Sequence, residues 1–202
     1  MRLEDGFDTM GEMKRILFLT SNEGKLREAK HALEPKGYEI LSQNVQFVEI
    51  QAKDLATVAH NKIEQFAEYL GAEWIEGVMV EDAGFFIDEH PGFPGVYSAH
   101  ILESLGLEGI LRLMHGRKNR GAEFRATIVL QIESEKIVAQ GRCRGHISEE
   151  IRGKGGFGYD PLFIPDDGDG RTFAEMTLDE KKMLSHRGNA MERLVTLLED
   201  RD

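Results

Sequence analysis

Glu81 and Asp82 follow the apolar run Val78-Met79-Val80 and precede Ala83, Gly84 and a second apolar run, Phe85-Phe86-Ile87. Runs of this kind read as buried strands, which puts the two acids at a strand end. Carboxylates there cannot both be solvated cheaply, so they need a cation or hydrogen bonds. Gly84 would let the backbone turn or come close to a ligand. Such an acid pair can hold a metal ion, or orient and deprotonate a water. Taken alone, Glu-Asp-x-Gly is more often a charged turn between two strands; the apolar runs on both sides favour chemistry.

Other chemistry-bearing residues are scattered along the chain. Glu49 stands between Val48 and Ile50, either held in a cleft or solvated on a strand. Thr20-Ser21-Asn22-Glu23-Gly24-Lys25 joins an apolar strand to a helical pattern. Free backbone N–H groups and the helix dipole favour a phosphate at such a turn. The competing reading is that Ser21 or Asn22 simply caps the helix. It is not a Walker A loop, because Leu19 replaces its first glycine and Leu26 its Ser/Thr. Gly153-Lys154-Gly155-Gly156-Phe157-Gly158-Tyr159-Asp160-Pro161 matches the dinucleotide fingerprint in spacing only. The fingerprint needs a strand before it and a helix after it, and neither is readable here. The loop reads as a base-binding cradle or as a long glycine hairpin. His186 and Arg187 stand together where two helical patterns meet. Singly, Lys25, Lys62, Lys181, His186 and Arg187 are surface residues; together they make the cationic patch an anionic ligand needs.

Elements must bring these residues together. Ile16–Leu19 lacks alternation, as a buried parallel strand does. Leu26, Ala29 and Leu33 mark a helix stopped by Pro35. Residues 38–51 read as strand and loop. Residues 54–72 give the clearest helix, with Gly71 as its C-terminal cap and Lys62 off its apolar stripe. Residues 91–99, rich in proline and glycine, predict a stiff shaped loop. A helix interrupted at Gly106 follows over 100–115. Phe124 to Ile132 alternates like a strand with one solvated face, and a second strand spans about 137–146. Leu162–Ile164 reads as strand. Thr177-Leu178-Asp179-Glu180 is a capping box, and Ala190, Leu194, Leu197 and Leu198 mark a last helix.

The chain has 202 residues and a formal net charge of −11. That length suits one full domain. The charge argues against non-specific nucleic-acid binding, so cations for an anionic ligand must be gathered locally. A single cysteine, Cys143, allows no internal disulfide and fits a reducing cytosol. No apolar run is long enough to span a membrane. Residues 1–12 read as an extension or tag remnant, and 13–202 as the domain.

In order and spacing, Thr20-Ser21-Asn22-x-x-Lys25, Val48-Glu49-Ile50-Gln51, Glu81-Asp82-Ala83-Gly84, Pro91 to Ala99, Gly156 to Pro161, Glu180-Lys181 and Ser185-His186-Arg187 resemble the inosine triphosphate pyrophosphatase family over about residues 15–198. Glu81, where aspartate is common, and Ala83, where many members have serine or threonine, depart from the pattern. The resemblance implies a two-lobed, elongated α/β fold around a long twisted mixed sheet, with the active site in a central cleft. It implies hydrolysis of noncanonical purine nucleoside triphosphates (ITP, dITP, XTP) to the monophosphate and pyrophosphate, with Mg²⁺, by a cytoplasmic homodimer. Glu49 and Asp82 would hold the metal with Glu81 helping, and Asp82 would also prepare the water. Thr20, Ser21, Asn22, Glu23, Gly24, Lys25, Lys62 and Lys181 would bind phosphates, beside Ala83. Phe157, Gly158, Tyr159 and Asp160 would cradle the base, with Phe157 stacking. Donors on His186 or Arg187 and an acceptor on Asp160 would suit a 6-oxo purine and clash with adenine. A pyrimidine-type nucleotide pyrophosphatase and a nucleotide sensor without turnover are the competing readings.

Overall fold

The structure is a computed structural model and describes residues 14–66 and 75–201. The predicted N-terminal extension, and the predicted helix end with its Gly71 cap, lie outside those residues. Seven strands form one mixed sheet: β1 (Lys14–Leu19), β2 (Tyr38–Gln43), β3 (Gly77–Ile87), β4 (His90–Gly95), β5 (Gly121–Ile132), β6 (Glu135–Ile147) and β7 (Phe163–Pro165). Their order is β2-β1-β3-β5-β6-β7, with β4 folded back on the end of β3. β1 runs parallel to β2 and β3; the pairs from β3 to β7 are antiparallel. Among the described residues five α-helices accompany them: α1 (Glu23–Leu33), α2 (Leu55–Glu64), α3 (Ser98–Leu113), α4 (Leu178–Leu184) and α5 (His186–Glu199).

The two parallel crossovers explain the layers. α1 returns the chain from β1 to β2 and α2 returns it from β2 to β3, and each covers a different face. Ile16, Phe18 and Met79 pack with Ala29 and Leu33 of α1 and with Ala190 and Leu194 of α5. Leu17, Val78, Val80 and Val129 pack on the opposite face against Ala59 and Ile63 of α2. Further along β3, Phe85 and Ile87 belong to a second region with Phe124, Phe163, Phe173, and Ile110 and Met114 near the end of α3. These are two lobes on one sheet, and β3 runs through both.

Several expectations are corrected here. β3 is continuous from Gly77 to Ile87, so the acids lie mid-strand and not beside a turn. Gly84 serves close packing: an added Cβ would stand 2.6 Å from the Gly95 carbonyl oxygen of β4. Residues 90–95, expected as loop, are β4. β5 is buried on both faces, and the alternating strand is β6. α2 ends at Glu64, earlier than its apolar stripe suggests. The helix expected over 100–115 is α3, with the interruption at Gly106 (φ 65°).

Candidate active site

Adjacent residues on a strand point to opposite faces. Glu81 and Asp82 therefore do not act as a pair. Val78 and Val80 face α2 and Met79 faces α1 and α5, so Asp82 turns toward α2 and Glu81 toward α1 and α5. The contacts agree. Lys62 of α2 donates to Asp82 Oδ1 at 2.7 Å and stands 3.1 Å from Glu49 Oε1. Arg187 of α5 donates from Nε to both Glu81 oxygens, at 2.9 and 2.8 Å.

A cleft of about 900 Å³ opens between the lobes. It is lined by Thr20, Ser21, Asn22, Lys25, Glu49, Lys62, Glu81, Asp82, Ala83, Phe157, Gly158, Tyr159, Asp160, Lys181, His186 and Arg187. Most of the dispersed candidates thus share one space. Two do not line it. Glu23 is exposed in the first turn of α1. Gly24 instead makes room for Phe157, whose ring would lie 2.5 Å from an added Cβ.

On the α2 side, burial pushes Asp82 up from the ordinary aspartate value against the pull of Lys62 and Lys25. Burial works to lower Lys62, but Asp82 and Glu49 outweigh it and hold the ammonium above the lysine value. Asp82 Oδ2 is buried without a hydrogen-bond partner. An unpartnered carboxylate oxygen in a polar cleft suits a hard cation or a bound water. Glu49, on the same lysine, supplies a second oxygen donor. Among the described residues no three His, Cys, Asp or Glu side chains cluster as a metal cage. Two carboxylates, completed by phosphate oxygens and water, are the donor set Mg²⁺ commonly takes.

On the α1/α5 side the polar groups satisfy one another. Arg187 Nη1 donates to Glu28 at 2.6 Å. Lys181 Nζ donates to Glu28 and to Asp160 Oδ2, each at 2.8 Å. Lys25 Nζ donates to the Glu81 carbonyl at 3.1 Å. Three acids and three cations close a buried network in which each bears on at least one opposite charge. Burial works to raise Glu28, but Arg187 and Lys181 hold it below the ordinary glutamate value. Burial lowers Lys25; Glu81 opposes this and Arg187 adds to it. Glu28 had no place among the sequence candidates. It stands three residues after Lys25 and four before Ala32, so helical spacing puts all three on one face.

This network revises the roles expected at the base end. Arg187 is fully engaged at Nε and Nη1 by carboxylates, and Glu81 by Arg187. Asp160 Oδ2 accepts from Lys181 and from the Phe157 backbone N–H at 2.8 Å, which pins the glycine loop. Tyr159 is a core ring stacked on Phe85 at 4.5 Å, and its hydroxyl donates to the Ser98 carbonyl. Phe157 carries Lys181 (4.7 Å) and Arg187 (5.3 Å) over its ring. His186 stacks on Phe124 at 4.6 Å and 9°, and its Nδ1 is buried without a partner. Burial first, then the charges of Arg187, Lys181 and Lys25, push His186 well below 6.5, so its ring is neutral. At the start of α1 both readings hold: Asn22 Oδ1 accepts from the Lys25 N–H as the cap, and Asn22 also lines the cleft.

A mixed sheet passing through two lobes, with a carboxylate–lysine pair and a cationic wall in the cleft between them, is the frame of an α/β enzyme for a small anionic ligand. The chain belongs to the Ham1 family, whose model matches residues 16–197. A relative from Thermococcus kodakarensis, named dITP/XTP pyrophosphatase, is 44% identical over 92% of this chain and 98% of its own. One of the same name from Bacillus subtilis is 38% identical over 93% and 98%. The Ham1 protein of Coxiella burnetii superposes with a TM-score of 0.79 at 28% identity, covering 93% of this chain and all of its own. A nucleoside-triphosphatase, dITP/XTP pyrophosphatase, from Mycobacterium abscessus gives 0.67 at 31% identity over 89% and 98%.

Proposed function

We propose that the chain hydrolyses noncanonical purine nucleoside triphosphates (dITP, ITP and XTP) between the α- and β-phosphates, releasing the monophosphate and pyrophosphate. The carrying observation is Asp82: a buried carboxylate with one oxygen on Lys62 and the other without a partner, in a cleft large enough for a nucleotide. That free oxygen accepts a hydrogen bond from the attacking water and takes its proton as the phosphoanhydride breaks. The upward shift of Asp82 brings its proton affinity closer to that of a useful base at neutral pH. Lys62 holds Asp82 and Glu49 side by side. These two carboxylates would hold Mg²⁺, which when bound would offset phosphate charge and polarise the anhydride. Glu81 belongs to the Arg187 network in this reading.

Thr20, Ser21 and Lys25 supply donors and charge for the phosphates, with the start of α1 directed at the cleft. At the other end Phe157 offers a ring face beside the base. His186 Nδ1, buried and uncommitted, is the group we assign to the 6-oxo edge, as its N–H tautomer. Arg187 and Asp160 act by holding His186, Phe157 and Lys181 in place. A buried donor that meets the adenine amino group instead of an oxygen is left unmade, and such mismatches discriminate by about 10⁴–10⁵-fold. A cytosolic homodimer is part of the same reading, supported by family likeness and by the unpaired, buried Cys143.

Pyrophosphate release from dITP, ITP, XTP, ATP, UTP and dTTP with Mg²⁺ tests the proposal. Turnover of the 6-oxo purines well above the rest is expected. UTP or dTTP turnover without ITP turnover would establish the pyrimidine reading instead, and tight binding without release would establish a sensor.

A further inference from the structure

Glu49 reaches the cleft from a stretch, residues 44–52, that has no helix or strand of its own. Its side chain is 72% exposed. An exposed segment outside any helix or strand does not hold a carboxylate still without help, since ordering each of its residues costs backbone entropy. The help comes from the last turn of α2 and the two residues that follow it, which grip three successive residues. The Phe47 ring meets Phe66 edge-on at 5.1 Å, and the Lys62 ammonium lies 5.5 Å from its centroid. Gln65 takes the backbone of Val48 from both sides: the Val48 N–H donates to Gln65 Oε1 at 2.8 Å, and Gln65 Nε2 donates to the Val48 carbonyl at 2.9 Å. Glu49 then lands on Lys62 at 3.1 Å.

The alternation of an extended chain makes this grip specific. Phe47 and Glu49 turn toward α2 while the Val48 side chain points outward, 74% exposed. Val48 therefore gives the segment only its backbone, and Gln65 reads that backbone as a neighbouring strand would. The donor and acceptor positions are fixed further by Asn61, one helical turn earlier, whose Oδ1 accepts from Gln65 Nε2 at 2.8 Å. A slip of one residue would send Glu49 outward and bring Val48 to the lysine.

We infer that Gln65 is a positioning residue for the reaction: its carboxamide sets the register of residues 47–49 and so places Glu49 at the metal side of the cleft. The inference rests on the reading of Glu49 as a metal ligand. It does not require Gln65 to touch substrate or metal. Outer groups that orient a ligand are commonly worth about 10–100-fold in metal affinity.

Gln65→Met keeps the shape of the side chain and removes both hydrogen bonds; Gln65→Glu keeps the acceptor and removes the donor. Mn²⁺ is the probe, its free fraction read by electron paramagnetic resonance on the full chain without nucleotide. Amide hydrogen exchange over residues 47–50 is the second readout. For Gln65→Met we expect Mn²⁺ affinity to fall about tenfold or more, exchange over 47–50 to quicken, and the melting temperature to stay near that of the parent. Gln65→Glu should fall between the two, and it carries the test if the methionine variant does not fold. Glu49→Gln should weaken Mn²⁺ binding as well, and adding Gln65→Met to it should cost little more. A lowered melting temperature with unchanged Mn²⁺ affinity would make Gln65 a stabilising residue only and overturn the inference. If Glu49→Gln itself leaves Mn²⁺ affinity unchanged, the metal reading of Glu49 fails, and the inference with it, whereas weakening by Glu49→Gln but not by Gln65→Met overturns the inference alone.

Discussion

Asp82 and Lys62 sit 2.7 Å apart, and one Asp82 oxygen has no partner. Asp82→Asn keeps the size of the side chain and removes the proton acceptor. Its kcat should fall by about 10²–10⁴-fold, the usual worth of a general base, while the folded state survives because Lys62 still has Glu49. Pyrophosphate release by the folded variant at near-parental kcat would remove Asp82 from the chemistry. Arg187→Ala should act differently. It leaves Glu81 and Glu28 buried without their main counter-charge, so stability should drop by about 3–5 kcal/mol in urea unfolding. A loss below about 1 kcal/mol would mean that cleft water replaces the guanidinium as partner of the two acids. Sequence reasoning found both of these residues by type but paired the wrong acids. The pleat of a strand separates neighbours 81 and 82, and a strand end was expected where the strand in fact continues. Glu28 escaped because an acid on an apolar helix face reads as solvated until its partner, 159 residues away along the chain, is known.

Short polar signals at element starts were the most legible part of the fold. Asn22 caps α1, Thr177 and Glu180 close the capping box on α4, and Gly106 breaks α3 where its backbone leaves the helical region. What stayed hidden was pairing. The proline-rich 90–95 stretch reads as loop because proline cannot serve a central ladder, yet β4 occupies an edge against β3, where it is tolerated. α5 carries a pH consequence of its own. His186 opens this helix, in its positively polarised first turn, and is buried and neutral. Its folded-state affinity for a proton is depressed, so the unfolded chain binds one first, near pH 6.5. The stabilisation is therefore complete above that value and is lost as pH falls below it, at up to about 1.4 kcal/mol per pH unit. His186→Phe, which retains a ring over Phe124, should show a flatter stability profile between pH 6.5 and 5. Parallel profiles for the two proteins would show that His186 is protonated in the folded state.

The whole chain carries a net charge of −11 and would bind a polyanion through a few inward cations. Lys25→Ala should therefore raise KM for ITP more than it lowers kcat, and should weaken the dependence of KM on salt. An unchanged KM would place Lys25 outside the phosphate path. Light scattering should give a mass twice that of the chain; a monomer at micromolar concentration would end the homodimer reading. No helix among the described residues is long and apolar enough to cross a membrane.

The row of buried charges also bears on ancestry. Glu81, Arg187, Glu28, Lys181 and Asp160 each satisfy a neighbour that satisfies another, across β3, α5, α1, α4 and the glycine loop. Loss of Lys181 strands Asp160 and loss of Arg187 leaves Glu81 with only Lys25 at 3.9 Å, whereas each acid can go while its cation keeps another. Descendants of this chain can drift freely at exposed positions such as Met183, whereas a change at either cation calls for a matching change on a different element. A new substrate preference is easier to reach from cleft-lining groups outside that row, such as His186, Ser98 and His100, than by exchange of the ion pairs themselves.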